Sequence, residues 1–126
     1  MKLKEFQEIL KADVLTENYD ENTEVEIGCS SDLMSDILAF SEPGAVLITS
    51  LTNIQVINTS NMADIIAVCF VMGKDPGKNI INLAQKNDIV VFKTDYTTFE
   101  SCGLLHKHGL KSSGYKHFDS YDTLII

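Results

Sequence analysis

The sequence predicts an α/β domain with three layers, in which helices cover both faces of a mostly parallel sheet of about five strands. Short strand patterns at Ala45–Thr49, Ile65–Val71 and Ile89–Phe92 alternate with helical patterns, and three strand–turn–helix units in a row imply right-handed crossovers. The run IIAVCFV at Ile65–Val71 is also continuously apolar, which is typical of a parallel strand covered on both faces. A chain of 126 residues fits a single domain of this kind.

The amino-terminal part of the chain is predicted to form two helices with short strands between them. Apolar residues at helical spacing predict a helix over Leu3–Leu10, and residues 12–16 favour a short strand. Residues 24–27 alternate between glutamate and apolar side chains, as half-exposed strands do. The next helix is predicted to begin at Ser31-Asp32, with the serine as its cap, and to stop at Glu42-Pro43-Gly44.

Three later helices have marked starts. Thr52 and Gln55 have the spacing of a capping box, in which each side chain satisfies a free backbone N–H at the helix end. Pro76 is predicted to be the first residue of the following helix, where its missing N–H costs nothing. Thr97 and Glu100 have the spacing of a second capping box and predict the start of the last helix.

Residues 1–110 are predicted to form the domain, and residues 111–126 a separate tail. The tail is polar up to Thr123 and then closes on Leu124-Ile125-Ile126. An apolar tip on a polar segment predicts that the tail docks on the domain or on a partner, for example by adding a strand to a sheet edge.

Composition and charge exclude several classes of function. The net charge is −8, with ten basic residues that are all lysine, so a nucleic-acid partner is not expected. The three cysteines form no Cys-x-x-Cys pair, which is the pattern of a reduced, intracellular protein. The amino terminus lacks a signal peptide, and no apolar run has membrane-spanning length, so the sequence predicts a cytoplasmic protein that does not bind a membrane.

The carboxyl ends of the predicted strands carry the candidate binding residues, because open α/β sheets bind ligands beyond these ends. The turn Thr49–Asn53 offers hydroxyl and amide groups beside a helix start, where free N–H groups favour anions. The turn Thr94–Thr98 would share one crevice with it if the sheet order brings the two together. The predicted ligand-binding residues are Thr49, Ser50, Asn53, Asn58, Lys74, Thr94, Asp95 and Thr97. Thr52 and Gln55 are left out, since capping accounts for them.

Other suggestive patterns fall short of a catalytic or metal site. The segment Gly73–Lys78 lacks the spacing of a phosphate loop and favours a glycine turn. Asp32 and Asp36, four residues apart on one predicted helix, are more typical of a solvated face than of an acid–base pair. Residues of the types that bind zinc occur without paired metal-ligand spacing, so neither a metal nor a cofactor is predicted. They are Cys102, His106, His108, His117 and Asp119. No nucleophile lies beside a base, and the sequence therefore predicts a protein that is not an enzyme.

Four segments together resemble the small stand-alone DRTGG-domain proteins, which are similar to the amino-terminal domain of bacterial HPr kinase/phosphorylase. The segments are Ser31–Phe40, Leu51–Ile57, Met72–Lys74 and Phe99–Gly103, and the resemblance covers about residues 1–110. It implies an α/β three-layer domain that is non-catalytic and often dimeric, and that occurs beside nucleotide-sensing CBS domains. The kinase's catalytic domain has no counterpart here, so the resemblance implies no kinase activity.

The chain departs from the family pattern in ways that bear on a ligand. Relatives tend to have Pro where this chain has Ile54 and Arg where it has Asn58, and the Asp-Arg-Thr-Gly-Gly string is not present. Two functions stay open. One is a homodimeric regulatory module that senses a nucleotide or a phosphorylated metabolite. The other is a protein-interaction adaptor without a small ligand, using the uncharged helix at 53–61 or the tail. A small enzyme is a third, less favoured reading.

Overall fold

The computed structural model describes residues 1–113, and the tip that is predicted to dock lies outside the described residues, in 114–126. The helices are α1 (Leu3–Leu10), α2 (Met34–Phe40), α3 (Gln55–Met62), α4 (Lys78–Lys86) and α5 (Thr98–Lys107). The strands are β1 (Asp13–Val14), β2 (Ile27–Ser30), β3 (Val46–Thr49), β4 (Ala67–Phe70), β5 (Val90–Lys93) and β6 (Lys111–Ser112). Within residues 1–113, no helix has the length and apolar character needed to cross a membrane.

These strands form one sheet in the order β1-β5-β4-β3-β2-β6. β1 runs antiparallel to β5, and every other neighbouring pair is parallel. The predicted mostly parallel α/β sheet is confirmed. It has six strands rather than about five because β6, a two-residue strand in the segment predicted as the tail, pairs beside β2. The short strand predicted at residues 12–16 is β1, at the other edge beside β5.

The two faces of the sheet are covered by different helices, as the three-layer prediction requires. α1 and α5 pack on one face, where Phe6 lies 5.2 Å from Phe92 between ring centroids. α2, α3 and α4 pack on the other face through side chains such as Ile37, Ile57 and Ile80. All residues of β3 and β4 are buried, which explains why these strands read as continuous apolar runs.

The register places the ends of the central strands level with one another. Thr49 pairs with Phe70, and Phe70 pairs with Lys93, so β3, β4 and β5 end side by side at the carboxyl edge of the sheet. The turns that follow these strands therefore meet at this edge, with the turn after β4 between the other two.

The predicted starts of α2 and α4 are wrong by two or three residues. Ser31 does not cap α2, because its hydroxyl accepts from the backbone N–H of Leu33 at 3.0 Å and closes a turn before the helix begins at Met34. Pro76 likewise precedes α4, because Asp75 Oδ1 accepts from the N–H of Gly77 at 2.9 Å and holds a turn ahead of Lys78. In both cases a short polar side chain bonds the backbone two residues on, which delays the helix.

The capping box at Thr52 and Gln55 is also wrong, whereas the cap at Thr97 is confirmed. Asn53 Oδ1 accepts from the N–H of Gln55 at 2.8 Å, so the asparagine, and not Thr52, satisfies the start of α3. At α5, Thr97 Oγ1 accepts from the backbone N–H of Glu100 at 3.1 Å. In a capping box the Glu100 carboxylate would accept from the backbone N–H of Thr97. Here it accepts from the Thr97 hydroxyl instead, also at 3.1 Å.

Candidate ligand-binding site at the carboxyl ends of the strands

The turn after β3 holds the carboxylate of Asp32. Asp32 Oδ1 accepts from the Thr49 hydroxyl at 2.7 Å and from the Ser50 N–H at 2.9 Å. Asp32 Oδ2 accepts from the Ser50 hydroxyl at 2.6 Å. Thr49 is fully buried, and its oxygen also accepts from the N–H of Leu51 at 3.2 Å. Two hydroxyls and one backbone N–H thus converge on one anionic group at the edge where ligands usually bind.

These contacts lower the pKa of Asp32. The Ser50 hydroxyl has the largest effect, and the Thr49 hydroxyl and the Ser50 N–H act in the same direction. Partial burial raises the pKa but does not outweigh them, and the positive charge of Lys74 lowers it further. The carboxylate is therefore ionised at neutral pH. Because its charge is stabilised, it is a weak proton acceptor, which disfavours a role as general base.

The turn after β4 connects the two turns that the sequence predicted to share a crevice. On one side, Lys74 Nζ donates to the carbonyl oxygen of Ser50 at 3.2 Å. On the other side, the N–H of Gly73 donates to the carbonyl oxygen of Thr94 at 2.9 Å. Gly73 has φ +66°, and a Cβ there would lie 3.1 Å from Asp95 Oδ1. Glycine thus permits both the left-handed turn and the approach of Asp95.

The predicted residues after β5 differ in how much of their bonding capacity is used. Thr94 is 2% exposed, and its hydroxyl donates to the carbonyl oxygen of Leu10 at 2.6 Å. It also accepts from the N–H of Tyr96 at 3.3 Å, so its hydroxyl has structural partners on both sides. Thr97 is exposed and caps α5, while Asp95 is exposed beside Gly73.

The two predicted asparagines lie at the start and on the exposed side of α3. Asn53 is exposed and holds the turn before the helix. Asn58 is exposed one turn into the helix, and its Nδ2 donates to Gln55 Oε1 at 3.4 Å. Both amides keep further hydrogen-bonding capacity toward solvent, because each uses only one of its two polar atoms in these contacts.

The residues with metal-binding side chains do not come together among residues 1–113, where no group of three or more could hold an ion. Cys102 and His106 lie on α5, and the ring of His108 forms a 2.8 Å hydrogen bond with the carbonyl oxygen of Leu104. His117 and Asp119 fall outside the described residues.

The family profile of the DRTGG domain matches residues 5–108, which is most of the chain. The chain belongs to the DRTGG-domain family. The family expected from the four segments is therefore confirmed. No match was found among curated proteins.

The fold of this DRTGG domain is similar to that of a solved regulatory region. That structure contains the CBS and DRTGG domains of the Clostridium perfringens pyrophosphatase, in complex with the activator diadenosine tetraphosphate. The TM-score is 0.71 at 20% identity, and the alignment covers 82% of this chain and 45% of that chain. Similarity at this identity establishes the fold, and this chain spans less than half of the pyrophosphatase region.

Sequence reasoning missed the residue at the centre of the site in this DRTGG domain. The sequence predicts Asp32 on one helix with Asp36, but Asp32 lies before α2 and its carboxylate binds the turn after β3. The two aspartates therefore form no pair on one helix. A Ser-Asp dipeptide next to an apolar periodic segment is a strong local helix-start signal, and nothing local distinguishes it from an aspartate that is used by a distant strand.

Proposed function

We propose that this DRTGG domain is a non-catalytic regulatory module that binds a phosphorylated small molecule, such as a nucleotide, at the turn after β3. The observation that supports this is the convergence of the Thr49 hydroxyl, the Ser50 hydroxyl and the Ser50 N–H on the carboxylate of Asp32. A phosphate oxygen accepts from the same donors, and charged acceptors make the stronger hydrogen bonds. The ligand takes the place of the Asp32 carboxylate when it binds.

The groups around the turn fit a ligand that extends beyond one phosphate. Lys74 provides a positive charge beside Ser50. Asn53 and Asn58 are exposed, polar and uncharged, so they suit ribose or base contacts. The Thr97 hydroxyl is already bonded on both sides to Glu100 at the start of α5. Thr94 serves the site by fixing the turn after β5 rather than by facing the ligand. The Thr49 hydroxyl, although its residue is buried, is one of the donors that the phosphate takes over from Asp32. The nucleotide activator of the pyrophosphatase region makes nucleotides the first compounds to test.

The proposal includes two further expectations from the sequence. One is the relation to the amino-terminal domain of HPr kinase/phosphorylase, without kinase activity. The other is a homodimer. We place its interface on α2 and α3, which pack against each other. Their outer surface carries exposed apolar side chains, among them Leu33, Leu38, Ile54 and Met62, the last 70% exposed. Residues 53–62 also contain no charge, in a chain with net charge −8. Such surfaces are typical of protein interfaces.

Ligand binding is tested by thermal shift and calorimetry with nucleoside monophosphates, nucleoside diphosphates, dinucleotides and inorganic phosphate. A ligand at ten times its Kd stabilises the folded state by about 1.4 kcal/mol, which is measurable as a shift of several degrees in Tm. Lys74→Ala is expected to weaken binding, while Lys86→Ala, at the far end of α4, serves as the matched control. Asp32→Asn is expected to strengthen binding, because it removes the competing charge.

Two outcomes contradict the ligand proposal. One is that no compound shifts the Tm of the wild type or of Asp32→Asn. The other is that Lys74→Ala and Lys86→Ala bind equally well. If the ligand proposal fails and the α2–α3 surface still binds protein, the adaptor function becomes the favoured one.

The homodimer is tested by light scattering on the wild type and on Met62→Asp. The variant places a charge on the proposed interface and is expected to be monomeric, whereas Asn82→Asp on the exposed side of α4 is expected to leave the mass unchanged. A monomeric wild type, with and without ligand, contradicts the homodimer.

A further inference from the structure

A second concave surface lies on the sheet face that α1 and α5 cover. This α5 groove has a volume of about 440 Å³, and its walls include Gly28, Ile48, Phe99, Cys102, Leu110 and Ser112. It contains none of the residues that hold Asp32, so it is distinct from the proposed ligand site.

The groove exists because no helix among residues 1–113 covers the β2–β6 edge on this side. α5 packs on β3, and the residues of β2 are half-buried or exposed, whereas those of β3 and β4 are fully buried. Leu110 closes the floor, because β2 has a glycine where a Cβ would lie 2.7 Å from Leu110 Cδ2. At the rim, the phenyl ring of Phe99 is 89% exposed. A half-buried strand beside an exposed aromatic ring is a surface that favours an apolar partner.

The chain itself runs along this groove just before residue 114. Leu110 and Ser112 line it, and the N–H of Ser113 donates to the carbonyl oxygen of Gly28 at 2.8 Å. The sequence that follows has aromatic side chains between its polar residues and an aliphatic tip. The aromatic and aliphatic residues are Tyr115, Phe118, Tyr121, Leu124, Ile125 and Ile126. The first four are spaced three residues apart. Since this segment starts at the wall of the groove, its local concentration there is in the millimolar range, and weak contacts suffice to hold it.

Charge also favours this segment. The lining of the groove includes Lys111 and contains no acidic residue, although the chain as a whole has net charge −8. The segment after Ser113 contains Asp119, Asp122 and one lysine, Lys116, so its side chains carry a net charge of −1. A segment with apolar side chains and a small net negative charge is therefore matched to a groove that is mostly apolar and is lined by one lysine.

We propose that residues 114–126 dock into the α5 groove of their own chain, with their aromatic side chains against Phe99 and Leu110. This interaction is independent of the proposed ligand and of the α2–α3 surface. It turns the exposed rim of the groove into a contact within the chain.

Alkylation of Cys102 by N-ethylmaleimide tests the proposal in the full chain, with labelled peptides quantified by mass spectrometry. Cys102 lines the groove, while Cys69 is fully buried and reports whether the domain stays folded. The variant Tyr115→Ser/Phe118→Ser/Tyr121→Ser is expected to label at Cys102 about tenfold faster than the wild type, because docking limits access to the thiol. Lys116→Ser/His117→Ser alters the polar positions and is expected to label at the wild-type rate.

Equal labelling rates at Cys102 in the wild type and in the triple variant overturn the proposal. Protection that is lost over about a hundred-fold dilution also overturns it, because docking within one chain is independent of concentration and a second copy would then be the occupant. If the triple variant exposes Cys69, Phe99→Ser decides instead. This rim substitution is expected to speed labelling of Cys102 while Cys69 stays protected, and an unchanged rate contradicts the proposal.

Discussion

Replacing Thr94 by valine tests whether this predicted ligand residue is instead part of the fold. The hydroxyl donates to the carbonyl oxygen of Leu10 at 2.6 Å, and both residues are nearly inaccessible to solvent, at 2% and 0%. Valine keeps the shape of threonine but leaves buried polar groups without this partner, which costs about 2 kcal/mol. For a chain of 126 residues, an unfolding entropy of about 2.1 cal/mol/K per residue converts this into a Tm decrease of about 8 °C.

The assay is thermal unfolding followed by circular dichroism, with two matched variants. Thr52→Val makes the same change at an exposed threonine and is expected to shift the Tm by less than about 2 °C. Thr94→Ser keeps the hydroxyl and loses only a methyl group, so it is expected to be more stable than Thr94→Val. The reasoning is refuted if Thr94→Val unfolds at the same temperature as Thr52→Val. It is also refuted if Thr94→Val abolishes ligand binding without changing stability.

Three further predictions concern individual side chains. In urea titrations, Asn53→Ala is expected to lower the free energy of unfolding by about 1 kcal/mol, because it removes the cap of α3. Thr52→Ala is expected to lower it by less than about 0.5 kcal/mol. Equal losses would indicate that Thr52 is the cap. Folding lowers the pKa of Asp32 below its ordinary value of 3.8. The ionised carboxylate therefore stabilises the fold above pH 3.8, and this stabilisation is lost as the pH falls through the lower pKa of the folded state. The difference in stability between the wild type and Asp32→Asn should shrink below pH 3.8, and a constant difference would contradict this. Burial raises the pKa of the Cys29 thiol to about 11, and burial also raises the pKa of the Cys69 thiol. Iodoacetamide should therefore modify both cysteines slowly at about pH 8 and rapidly in urea, and fast labelling of the folded protein would be the contrary result.

The central strands were predictable because tertiary structure and local sequence agree there. A strand between two helical layers needs apolar side chains on both faces, so Ile65–Val71 reads as a strand in the sequence and contains β4 in the structure. α1 was predictable for a similar reason, since Leu3, Phe6 and Leu10 recur at helical spacing and all three are buried. In these elements the burial of the side chains in the folded protein produces the apolar pattern from which each element was located in the sequence.

The helix starts and the site were harder to predict because distant partners compete with local ones. Ser31 and Asp32 have the composition of a helix cap, yet Asp32 bonds Thr49 and Ser50 on β3 and in its turn. The sequence also contains no information on strand order. The turns after β3 and β5 were expected to meet if their strands were neighbours, but β4 lies between them and its own turn, at Gly73-Lys74, makes the connection.

The position of Asp32 links the proposed ligand site to the proposed dimer surface. Asp32 immediately precedes Leu33 and α2, and α2 packs against α3. If the proposed ligand replaces the carboxylate in the turn after β3, the chain is released at the start of α2, where the exposed Leu33 begins the apolar surface. Coupling between two binding events is reciprocal. If the ligand changes the dimerisation constant by some factor, dimerisation changes the affinity for the ligand by the same factor. Asp32→Asn removes the competing charge, so the dimerisation constant of the ligand-free variant should be closer to that of the liganded wild type. An unchanged dimerisation constant would show that the two sites are not coupled through Asp32.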